Sequence, residues 1–79
     1  MPIPIPDKKA VQEMKEHILL ICKELHIPVL KARCAKEGVW FYIPSSPHRG
    51  LWMYHYAYEY FLAQGKKTLD LNVALMLRS

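Results

Sequence analysis

Residues 51–61 read LWMYHYAYEYF, with an aromatic or large apolar side chain at almost every position. If this stretch is helical, Trp52, Tyr54, Tyr56, Tyr58, Tyr60 and Phe61 place rings nearly all round its circumference. A helix that is apolar on every side is normally buried on every side. The chain has only 79 residues, and one that short buries about 60% of its unfolded surface. The aromatic segment therefore asks for more cover than one small neighbour supplies. A homodimer or a protein partner is an expectation from the outset, with Trp52, Tyr56 and Tyr60 as the interface anchors.

The rest of the composition bounds the answer further. Hydrophobic residues at 52% and charged residues at 23% are near the globular average, which excludes wholesale disorder. The length makes residues 1–79 a single domain. The net charge is +4, and it is unevenly spread. Residues 7–26 sum to zero, residues 27–58 carry +3 through Lys31, Arg33, Lys36 and Arg49 against Glu37, and the remainder carries +1. A basic centre suits a polyanion or an acidic partner. Cys22 and Cys34 are too few for a disulfide framework, so reduced thiols and a cytoplasmic location are expected. The start, MPIPIPDKK, lacks the apolar core of a signal peptide, and no apolar run approaches the length of a membrane span.

Prolines at 2, 4 and 6 forbid helix and favour an extended arm over residues 1–6, laying Ile3 and Ile5 on the domain. Asp7 is a good N-cap for an amphipathic helix opening at Lys8. Val11, Met14, Ile18, Ile21 and Leu25 form its apolar stripe, and Pro28 stops it near His26. Residues 28–34 and 39–43 read as two strands joined by a turn. A loop of two or four residues pairs Cys34 with Val39, Ala32 with Phe41 and Leu30 with Ile43 on one apolar face. The other face then holds Arg33 opposite Trp40 and Lys31 opposite Tyr42. A three-residue loop with Gly38 in a bulge is the competing register.

Residues 45–50 read as a loop, with Ser46-Pro47 as a helix start. The end at Ala63, Gln64 and Gly65 is a helix stop. The alternation of Tyr54, Tyr56, Tyr58 and Tyr60 fits a strand, so a third strand over residues 51–60 stays open against the helix that their length and terminus favour. Asp70 could cap a last helix through Leu71, Ala74, Leu75 and Leu77. The expected fold is α+β, in the order α-β-β-α-α with a two-stranded antiparallel hairpin packed on helices. The alternative order is α-β-β-β-α, which small double-stranded-RNA-binding folds share. No motif of that family is present, and fold order does not establish function.

Four chemistries can be weighed. The basic and aromatic hairpin face of Lys31, Arg33, Trp40 and Tyr42, with Arg49 nearby, combines cations for phosphate with rings for base stacking. The competing reading is a solvated sheet face with cationic stems lying over rings. The second chemistry is the aromatic interface already named. For a metal, Cys22 and His26 share a helix face, Cys34 points inward and His48 or His55 could supply a fourth ligand, but structural zinc sites show tight ligand pairs and only one exists here. For catalysis, His55 with Glu59 and the loop of Ser45, Ser46, His48 and Arg49 are ordinary turn and surface residues, and no nucleophile or phosphate-loop motif appears. We therefore expect a non-enzymatic binding protein with no cofactor and no metal. Its leading ligand is nucleic acid, through Lys31, Arg33, Trp40, Tyr42 and Arg49.

Overall fold

A computed structural model describes residues 4–65. Their elements are α1 (Lys8–Glu24), β1 (Lys31–Cys34), β2 (Gly38–Ile43), β3 (Ser46–Tyr54) and α2 (His55–Ala63). The α+β class holds, and the described residues follow the α-β-β-β-α order. The last helix expected after Asp70 lies outside the described residues.

Helix α1 forms where its signals place it. The Asp7 carboxylate accepts from the Ala10 backbone N–H at 2.8 Å. Val11, Met14, Ile18, Ile21 and Cys22 are buried, whereas Leu25 is partly exposed because the helix has ended by then. The ending is a Schellman motif: the His26 N–H reaches Lys23 O and the Ile27 N–H reaches Cys22 O at 2.8 Å. His26 takes the left-handed position at φ 58, which is normally glycine's. A non-glycine residue there costs about 1–2 kcal/mol. Glycine also loosens the unfolded chain, which opposes the gain by about 0.4–1 kcal/mol. His26→Gly is expected to raise stability by roughly 0.5–1 kcal/mol net. A denaturation midpoint at or below wild type would show that the position carries no strain.

The sheet is antiparallel in the order β1-β2-β3. Lys31 pairs with Tyr42, Ala32 with Phe41, Arg33 with Trp40 and Cys34 with Val39, the register that the two-faced pattern favours. The Ala35 N–H closes the turn onto Gly38 O at 2.9 Å, leaving Lys36 and Glu37 at its tip. The inner face is less complete than expected. Val39 and Phe41 are buried, but Leu30 lies before β1 and is exposed. Cys34 is on the helix side, with its thiol 3.5 Å from Gln12 Oε1, yet it sits at the rim of an edge strand and is exposed. Ile5, expected to lie on the domain, is also exposed.

The largest departure from expectation is β3. Residues 46–50 are strand rather than loop, and Ser46 starts β3 instead of capping a helix. Ile43 pairs with Ser46, so Pro44 and Ser45 alone make the turn. The segment 51–60 is neither all helix nor all strand: it is strand to Tyr54 and helix from His55. Leu51 and Met53 point to the core opposite Phe41 and Val39, which leaves Trp52 and Tyr54 on the outer face. In α2 only Tyr58 and Phe61 are buried, and Gly65 follows the helix end at φ 86. One core cluster joins α1, the inner sheet face, Tyr58 and Phe61. Both helices therefore cover the same side of the sheet.

Candidate nucleic-acid interface

The outer sheet face gathers most of the residues that the sequence points to for nucleic acid. Arg33 stands opposite Trp40 and Lys31 opposite Tyr42. The Lys31 ammonium lies over the Tyr42 ring, 4.7 Å from its centroid. The Arg33 guanidinium donates to the Tyr42 hydroxyl at 3.3 Å, reaching diagonally past its cross-strand partner. Tyr42 is buried although it faces outward. The reason is Gly50, held at φ 76 next to the Tyr42 and Trp40 rings: a Cβ there would lie 2.9 Å from Tyr42 and 3.1 Å from Trp40. Tyr42 is thus a fixed support for the two cations, with its ring not free for a ligand. Arg49 is exposed on β3 just before Gly50, and among the described residues no hydrogen bond or ring contact joins it to the other four.

The third strand extends the face. Trp52 pairs with Trp40, their rings 5.0 Å apart. Tyr54 follows edge-on at 5.2 Å, and Tyr56 stacks on Tyr54 at 4.9 Å with the planes 26° apart. Trp40 and Trp52 are half-buried, whereas Tyr54 and Tyr56 are exposed. Four rings therefore form one row from the middle strand across β3 and onto the start of α2. Trp52 belongs to this row rather than to a helix. Together with Tyr56 and Tyr60 it does not make a single helical face, because α2 begins only at His55. Tyr60 stands apart on the exposed side of α2. Tyr54 joins this row of rings, and sequence reasoning misses it as a candidate; its signal is the alternation with Trp52, legible only once residues 51–54 are read as strand.

Among the described residues the other titratable groups do not converge on one centre. Cys22 is buried, and burial pushes its thiol up from the ordinary value. His26 lies beyond the end of α1, in the left-handed region at φ 58. Among the described residues no three His, Cys, Asp or Glu side chains come together to hold a metal ion. His55 Nδ1 lies 3.7 Å from the Glu59 carboxylate. Its ring also packs near Tyr58, whose hydroxyl meets His17 Nδ1 at 2.7 Å. Burial, then the Glu13 and Glu59 carboxylates, push the Tyr58 phenol up. The His17–Tyr58 contact ties α1 to α2 across 41 positions of sequence and is a structural latch. No helix among the described residues is long and apolar enough to cross a membrane.

Comparison with known proteins finds no matching family model, no matching curated protein and no matching solved structure.

Proposed function

We propose that this protein is a non-enzymatic binder of single-stranded nucleic acid. The observation that carries the reading is the row Trp40–Trp52–Tyr54–Tyr56, with centroids 4.9–5.2 Å apart, which starts on the sheet that holds Lys31 and Arg33 and ends on α2. Single strands offer unstacked bases to aromatic rings while their phosphates follow nearby cations, and each stacked base contributes about 1–3 kcal/mol. A duplex, whose bases are already stacked, has less to gain from such a row. A cytoplasmic location, expected because two cysteines are too few for a disulfide framework, is part of the same proposal.

Titrating tryptophan fluorescence with a short single-stranded oligonucleotide at several salt concentrations tests the reading. Binding is expected to quench the tryptophans and to weaken linearly in log salt. Arg33→Ala is expected to weaken binding and to reduce the salt slope by about 0.7, the share of a single phosphate. No quenching at low salt would sink the proposal.

A second reading rests on the exposure of Tyr60 and Leu62, at 64% and 41%, on a helix with few buried residues. It makes α2 a homodimer or partner interface. It predicts salt-tolerant association and a light-scattering mass above the 9.3 kDa monomer.

A further inference from the structure

At the far end of the ring row the chain forms a groove of about 250 Å³ lined by Pro4, Pro6, Glu37, Tyr54 and Tyr56. We propose that this groove holds one nucleobase and selects guanine, with the Glu37 carboxylate as the specificity-determining group; the inference rests on the single-strand reading above.

Size comes first. Sites for drug-sized ligands run from about 300 to 1,000 Å³, so this groove suits one planar ring system better than a longer stretch of chain. Its lining comes next. The Tyr54–Tyr56 pair is already stacked, and both rings belong to the row along which a bound strand would lie. Proline brings no backbone N–H, so Pro4 and Pro6 add apolar walls without a donor.

Charge then selects the part of the nucleotide that enters. Among the described lining residues Glu37 is the one charged group, and it is an acid. A carboxylate repels phosphate, which leaves the backbone to Lys31 and Arg33 and turns a base edge towards the groove. An ionised carboxylate only accepts hydrogen bonds, through two oxygens. Guanine presents two adjacent donors, N1–H and N2–H, that match them. Adenine and cytosine present one amino group each beside an acceptor. Thymine and uracil present a single imide N–H between two carbonyls, which the carboxylate repels.

The position of Glu37 is also fixed. It lies at the tip of the short β1–β2 turn, and its carbonyl accepts the His55 N–H at 2.8 Å. The turn is thereby tied to the start of α2, one residue before Tyr56. The Glu37 side chain is exposed and has no hydrogen bond or ion pair among the described residues, so it is available to a ligand.

The test compares two probes by fluorescence anisotropy: a short thymidine-only oligonucleotide, and the same oligonucleotide with one central guanine. Wild type is expected to prefer the guanine probe about tenfold, within the range of one bidentate pair. Glu37→Gln, which keeps the size but sets an amide N–H₂ against the guanine donors, is expected to bring that ratio to about one. Equal binding of both probes by wild type, or a preference that survives in Glu37→Gln, overturns the guanine site while leaving the ring-row reading standing. Failure of wild type to bind either probe overturns the ring-row reading and the guanine site with it.

Discussion

Phe61→Ala is expected to lower the unfolding free energy by about 3–5 kcal/mol, the usual loss for a fully buried phenylalanine. Phe61 is 1% exposed, and with Tyr58 it is all that α2 buries. The helix has nine residues, no side-chain N-cap and no acidic residue in its first turn. A helix that short is not stable on its own and persists only through packing. Domain stabilities run at about 0.05–0.15 kcal/mol per residue, so the loss would remove a large share of the total. The His17–Tyr58 contact would weaken with it, and Tyr56 would lose its seat on Tyr54. Urea denaturation followed by both tryptophan fluorescence and far-ultraviolet circular dichroism checks this. A loss under about 1 kcal/mol would show that Phe61 is not the anchor of α2, since an ordinary substitution costs that much.

Gly38→Ala is expected to destabilise by about 3 kcal/mol or more, the upper end for overpacking. A Cβ at Gly38 would overlap the carbonyl oxygen of Met53 and approach Trp52 and the Tyr54 Cα to 2.9 Å. Two of these neighbours are strand backbone, which cannot rotate away as a side chain can. The β2–β3 pairing would have to separate locally, moving the Trp52 and Tyr54 rings. The prediction is read as a lowered denaturation midpoint together with a change in near-ultraviolet circular dichroism from the tryptophans. A wild-type midpoint would contradict the close approach of β3 to Gly38.

Much of the fold is legible in the residues. Asp7, the apolar spacing from Val11 to Ile21 and the stop at Pro28 define α1 because local signals at both ends agree. The β1–β2 register follows from asking which offset separates apolar from polar partners. The β3–α2 boundary cannot be found that way. Tyr54, Tyr56 and Tyr58 suit strand and helix alike, and α2 opens at His55 with no capping side chain to mark it. Ser46-Pro47-His48-Arg49 has loop composition, but its strand is set by pairing across the short turn at Pro44 and Ser45. Of the candidate nucleic-acid site, Lys31, Arg33, Trp40 and Tyr42 are legible because β1 and β2 are adjacent in sequence. Tyr54 is hidden by the unmarked boundary. The groove with Pro4, Pro6 and Glu37 is hidden because it joins three separate parts of the chain.

The passage from β3 to α2 without a linker has a consequence for recognition. Tyr54 ends the strand and occupies the position just before the helix, so no linker separates Tyr54 from Tyr56. The Tyr54–Tyr56 stack and the pairing of Trp40 with Trp52 hold the rings in place before any ligand arrives. The protein side of an encounter would then lose little conformational freedom, and the ordering cost would fall on the flexible strand. Differences in affinity among ligands would appear as differences in residence time more than in association rate.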